Sequence, residues 1–226
     1  MTGRRATLAR MQFRELSRRR GVLVLLVGLP LAWYASAVAG GLSYAVGSGM
    51  LGVGWCIGTI ALFTVLGARA IDPRLVCAGL HPWEVISGRL APLLGSALAL
   101  AAFFTAVMTL GSRPDRPATV ALAITLTAVV AVGIGLLVAA LVPRELEGTL
   151  LLIMIVGIQV GIPGRIDLFM PLYAPLWLTD PDRPTAPALP LTLHALGYAL
   201  ALTAVAMLVW YRRIRLAPDG GGRDAT

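Results

Sequence analysis

The sequence predicts an all-α, polytopic membrane protein. It has six transmembrane helices, an N-terminal interfacial amphipathic helix, and short re-entrant or interfacial helices between spans five and six. Three observations carry that prediction. Of the 226 residues, 58% are hydrophobic and only 13% are charged, about half the charged share of an ordinary soluble domain. The apolar runs are long and nearly unbroken, as from Ala118 through Val142, so they do not show the alternation of a membrane β-barrel. Every one of the 19 basic residues is Arg, and the arginines cluster beside the apolar runs. In lipid, only helices and closed barrels satisfy the backbone, and the pattern selects helices.

Residues 1–20 hold seven arginines, interleaved with Leu8, Met11, Phe13 and Leu16. That composition predicts a helix lying on the membrane surface with its arginines toward headgroups. The stretch from Ser17 to Leu23, with Arg18, Arg19 and Arg20, resembles a twin-arginine export signal, and Ala35-Ser36-Ala37 offers a small-residue site of the cleavable kind. A basic flank before a first span explains the same residues, and the further apolar runs favour that reading.

A span needs about 20 apolar residues, and six such runs are read at 21–40, 43–67, 89–110, 118–142, 149–163 and 190–211. The segment 69–89 is the longest connection on the N-terminal side. The segment 164–189, with Leu168-Phe169-Met170-Pro171-Leu172-Tyr173 and Leu176-Trp177-Leu178, is too broken to span and predicts short helices in the opposite interface, with Tyr173 and Trp177 at headgroup depth. Residues 212–226 end in a Gly-rich, charged tail, expected to be disordered. With the N-terminus inside, 15 of the 19 arginines fall on the inner side, while Arg113, Arg116, Arg165 and Arg183 fall outside. The positive-inside rule then places both termini in the cytoplasm of a bacterial cell.

The chain contains no Lys. A phosphate-binding loop of the G-x-x-x-x-G-K-[ST] form needs one, so any ATP hydrolysis belongs to a partner polypeptide and the chain itself is not expected to be an enzyme. The net charge of +8 serves headgroups and topology rather than nucleic acid. Cys56 lies within a span and Cys77 in a connection, at depths that do not suit a disulfide.

The inner connection carries the most information. Gly79 breaks the chain, and Pro82 suits the first turn of a helix, where its missing N–H costs nothing. Glu84 sits where the helix dipole favours an acid. A helix is predicted to begin near Pro82 and run into the third span, with Trp83 near its tip. That arrangement suits docking to a cytoplasmic partner, or an interfacial Trp in headgroups.

At these residues the sequence resembles the permease subunits of type-2 ATP-binding-cassette exporters. The match rests on Arg74-Leu75, Gly79-Leu80-His81-Pro82-Trp83-Glu84 and Gly88-Arg89. It continues at Pro143-Arg144-Glu145-Leu146-Glu147-Gly148-Thr149-Leu150. The resemblance covers nearly the whole chain, although the loop has only two acids, Asp72 and Glu84, fewer than many members. The small haem-exporter permeases are similar in length. The resemblance implies a coupling helix, with Arg74, Gly79, His81, Pro82, Trp83, Glu84 and Gly88 meeting an ATP-binding subunit. That subunit would hold the ATP and Mg, and this chain would hold no cofactor or metal. It also implies a second permease, identical or homologous, surrounding lipid, and export of a hydrophobic or amphiphilic cargo such as a drug, lipid, peptide antibiotic or haem.

Gly54-x-x-x-Gly58 and Gly157-x-x-x-Gly161 allow close helix approach, in a dimer or within one subunit. Gln159 is a polar group within a span, suited to lining a pathway or bonding across helices. Two other classes compete. Ser48 and His194 are the minimum pair for an intramembrane serine protease, and a substrate-capture subunit of a vitamin importer has this size and span count. No H-E-x-x-H occurs, and His81 and His194 are expected on opposite faces, which disfavours a metal site.

Overall fold

The computed structural model describes Met11 and residues 20–161, 165–180 and 187–216. Among these residues every regular element is helical. The order is α1 (Arg20–Ala39), α2 (Ala45–Ala68), α3 (Asp72–Cys77), α4 (Pro82–Ser112), α5 (Pro117–Leu141), α6 (Glu145–Gly161), a 3₁₀ turn (Arg165–Phe169), α7 (Tyr173–Thr179) and α8 (Ala188–Leu216). Apart from Met11 and Arg20, the predicted surface helix over 1–20 lies outside the described residues, as does the tail from 217. The first part of the expected tail, through Leu216, continues α8 as helix.

Four helices, α2, α4, α5 and α8, are long and apolar enough to cross a membrane. The apolar stretch described in α1 is shorter, Leu26–Ala39. The 17 residues of α6 rise only about 26 Å, less than the ~30 Å hydrocarbon core. The α4 helix is 31 residues long and rises about 46 Å. It therefore has length to spare beyond a span.

The two central helices are α2 and α5, with 78% and 72% of their apolar windows buried, against 28% for α4 and 17% for α8. Small residues make the central contact possible. A Cβ at Gly135 would run into the carbonyl oxygen of Gly58, and one at Gly58 would lie 3.0 Å from Leu152. Close backbone approach of this kind is how helices pack where lipid offers no hydrophobic drive for association. The α1 helix packs on α2, where Pro30 seats against Gly52 at 2.8 Å from the Cβ position. On α4 and α8, Leu98, Phe103 and Leu110, and Leu193, Leu200 and Leu208, remain exposed. Apolar surface this extensive fits contact with lipid.

The helix ends gather at two poles. At one, Arg69 after α2 reaches the carbonyls of Ala139 and Val142 at the end of α5, the second at 2.8 Å. At the other, the Tyr34 hydroxyl of α1 donates to Met108 O at 3.1 Å and meets the Ser112 hydroxyl. The elements α3 and the start of α4 lie at the first pole; the 3₁₀ turn and α7 lie at the second.

Candidate functional site

At the first pole, the chain turns from α3 into α4 through residues whose conformations the sequence anticipates. Gly79 has φ of +91°, a backbone state that a side chain would strain. His81 is extended, with φ −71° and ψ 139°, and is the N-cap of α4. Its Nδ1 accepts from Trp83 N at 3.3 Å. The Glu84 carboxylate accepts from His81 N at 3.2 Å. Together these form a capping box, with Pro82 at the first helical position. The expected helix start is thus observed, and Glu84 is committed to closing it. At 8% exposure, its carboxylate is turned into the protein rather than outward to a solvated rim.

Trp83 remains 46% exposed. One face of its indole stacks on Tyr211 of α8, with centroids 5.1 Å apart and planes 25° apart. Arg74, Gly79 and His81 are also exposed, while Pro82 and Gly88 are buried. The turn therefore presents an aromatic ring on a base fixed by caps.

Beneath it lies a polar cluster that the sequence reading did not assemble. Asp72, on α3, is 1% exposed. Its Oδ1 accepts from Arg89 Nη2 at 2.6 Å and Arg89 Nε at 2.8 Å, and its Oδ2 accepts from Trp210 Nε1 at 3.1 Å. Three elements, α3, α4 and α8, are tied by one carboxylate. Burial pushes the Asp72 carboxyl above its ordinary value, and the Arg89 guanidinium and both sets of hydrogen bonds pull it back. In the sequence Arg89 stands out only in the arginine count and in the Gly88-Arg89 stretch of the resemblance, neither of which assigns it a partner. The signal available was its position 17 residues after the loop's other acid, which carries no geometric meaning until the Gly79 turn folds the two together.

The glycine and glutamine candidates divide. Gly54 and Gly58 pack inside the subunit, against Thr127 at 3.4 Å and Leu152 at 3.0 Å. Gly157 faces open space, and the surroundings of Gly161 lie outside the described side chains. Gln159 is buried and bridges two elements: Nε2 donates to Ile155 O at 2.8 Å, and Oε1 accepts from Leu172 N at 2.7 Å, ahead of α7. Its amide holds α7 against α6.

Near the second pole, α1, α2, α6 and α7 border an open cavity of about 780 Å³, lined by Leu29, Trp33, Trp55, Val156, Gly157 and Tyr173 among others. That is the size of a small-molecule site. The lining is mainly apolar and aromatic. The buried indole N–H of Trp55 has no hydrogen-bond partner among the described residues.

The structure does not join Ser48 to His194. The Ser48 hydroxyl donates to Ala45 O at 2.9 Å within its own helix. His194 Nε2 lies 2.9 Å from Leu168 O, and the ring packs against Tyr173 and Tyr198. Among the described residues there is no group of three metal-ligating side chains, and both Cys56 and Cys77 are free. In comparisons with protein-family models, curated proteins and solved structures, nothing matches the chain.

Proposed function

We propose that this chain is the transmembrane permease subunit of an ATP-driven exporter of the ATP-binding-cassette type. It crosses the bacterial cytoplasmic membrane six times, with α1 and α6 completing the set, and has both termini inside. It works with a separate ATP-binding subunit, which holds ATP and Mg, and with a second permease of identical or homologous sequence. The cargo is hydrophobic or amphiphilic.

The observation that carries this reading is the braced turn at the arginine-rich pole. A force applied at Trp83 meets a capped helix start, so it moves α4 as a unit rather than deforming a loop. Asp72 passes the same displacement to α8 through Trp210, and Arg69 ties the end of α2 to α5. Coupled rigid elements of this kind are what switching between two packings requires. The aromatic-lined cavity of about 780 Å³ is an apolar space at the opposite pole, suited to such a cargo. The same cavity favours the alternative, a substrate-capture subunit, which would bind its ligand without any ATPase.

The test is affinity purification of the full-length chain from its native membranes. A co-purifying protein bearing a phosphate-binding loop is expected. Trp83→Ala should weaken that association by about 2 kcal/mol, the scale of an aromatic interface anchor, without loss of membrane insertion. Retention of the partner by Trp83→Ala would remove the turn from the docking surface. Purification without any ATPase, combined with tight binding of a small molecule, would favour the capture subunit.

A further inference from the structure

Where α2, α5 and α8 meet at the arginine-rich pole, a cleft of about 160 Å³ is lined by Val65, Arg69, Asp72, Ala139, Trp210 and Arg213, among others. That is far above the ~15 Å³ one water needs. Two guanidinium groups border it. Arg69 is half-buried and uses Nη2 on the carbonyls that end α5, which leaves Nε and Nη1 for another acceptor. Arg213 is exposed, and among the described residues no acid pairs with it. The carboxylate in the cleft, Asp72, is already held by Arg89 and Trp210. The two arginines consequently repel: burial first, and then Arg213, hold the Arg69 guanidinium below its ordinary value. An anion between them would relieve that repulsion.

The position selects the kind of anion. Arg69 follows the last residue of α2, Ala68, and Arg213 lies at the end of the apolar run of α8. Both are therefore at headgroup depth if these helices span. The apolar stretch of α8 is only 17% buried, leaving a wall along which acyl chains can lie. Basic pockets between membrane helices recognise phosphate-bearing headgroups, and guanidinium groups suit phosphate oxygens through paired N–H donors. We propose that this cleft binds the phosphate of an anionic phospholipid, with Arg69 and Arg213 as donors. Bound there, the headgroup bridges α2 and α8 beside the Asp72–Arg89 pair. The inference does not depend on the transport reading, since lipid retention is measured on the chain alone.

The experiment is native mass spectrometry of the full-length chain released from detergent, titrated with phosphatidylglycerol or phosphatidylcholine. The first phosphatidylglycerol should bind with clear preference over phosphatidylcholine. Arg213→Gln should weaken it about tenfold, the scale of one charge-assisted hydrogen bond, and leave phosphatidylcholine unchanged. Arg213→Lys, which keeps the charge, should stay within a few-fold of the parent. Arg212→Gln is the control: Arg212 is also exposed but does not line the cleft, and its substitution should change binding less than twofold. Equal losses in Arg212→Gln and Arg213→Gln would show diffuse attraction and overturn the cleft. No preference for phosphatidylglycerol would overturn it as well. Displacement of the lipid by millimolar inorganic phosphate would make the site one for free oxyanions and overturn the lipid assignment.

Discussion

Removing one member of the Asp72–Arg89–Trp210 cluster should destabilise the bundle more than any other single polar change at this pole. Asp72 and Arg89 are 1% and 8% exposed, so solvent screens their interaction little. Asp72→Ala strands a guanidinium that had two contacts to Oδ1, at 2.6 and 2.8 Å, and an indole N–H that donated at 3.1 Å. Breaking a buried pair from one side costs about 3–5 kcal/mol, mostly because the surviving charge is left without a partner. The double variant Asp72→Ala/Arg89→Ala removes both charges and should be less destabilised than the sum of the singles, with coupling of about 1–3 kcal/mol. Denaturant unfolding of the purified chain in micelles, followed by circular dichroism and Trp fluorescence, supplies all four corners of the cycle. Arg89→Gln adds a pH test. Burial raises the folded Asp72 carboxyl and Arg89 opposes that rise, so the substitution lifts it further above its unfolded value of about 3.9. A group raised on folding favours the fold in acid and loses that contribution as pH rises through its folded value. Arg89→Gln should therefore become less stable as pH rises above the unfolded carboxyl value of about 3.9. Single variants within about 0.5 kcal/mol of the parent, or additivity within the same margin, would refute the view that this pair holds α3 to α4 and α8.

Three further outcomes follow from the geometry. Gly135→Leu should cost about 1–3 kcal/mol of stability, the range for overpacking, because its Cβ position collides with the Gly58 carbonyl on the facing helix; Gly157→Ala, which meets open space, should be nearly silent in the same unfolding assay. Glu84→Ala should destabilise the start of α4 by about 1 kcal/mol through loss of the capping box and increase amide exchange over Trp83–Ile86, while Glu84→Gln, which still accepts a hydrogen bond, should lose less. Single-cysteine variants in a background lacking Cys56 and Cys77 should be labelled at position 74 from the cytoplasm only and at position 115 from outside only; labelling of position 115 from the cytoplasm would overturn the six-span topology.

The helix starts were legible where residues impose local geometry. Gly79 and Pro82 bracket the turn by what their backbones can and cannot adopt, and the observed φ of +91° and first-turn proline are those constraints realised. The apolar runs located α2 and α5 to within a few residues. The end of α8 was less legible, since polar residues can extend a helix out of the apolar zone: α8 continues to Leu216, while an apolar count registers only the interior. Which helix sits at the centre was not legible from apolarity, because α4 is as greasy as its neighbours yet only 28% buried. Small residues hold that information, through contacts such as Gly58 with Gly135, which are fixed by the pairing of two distant segments.

The arginines show why the site was harder to read than the fold. A count assigns Arg69, Arg89 and Arg213 to the same inner side and treats them alike, because an orientation rule depends only on where charge accumulates. The folded chain gives the three different work. Arg89 is neutralised by Asp72 and takes no part in attracting headgroups. Arg69 satisfies carbonyls left open at the end of α5, which the backbone would otherwise leave unmet in an apolar setting. Arg213 has no such duty and stands beside Arg69 with its charge uncompensated among the described residues. The difference comes from one substitution of partners: the Asp72 carboxylate bonds Arg89 and Trp210, and so is not free for the arginines of the neighbouring cleft. A loop with only two acids, one spent on a helix cap and the other on a buried pair, therefore leaves Arg69 and Arg213 without an acidic partner among the described residues.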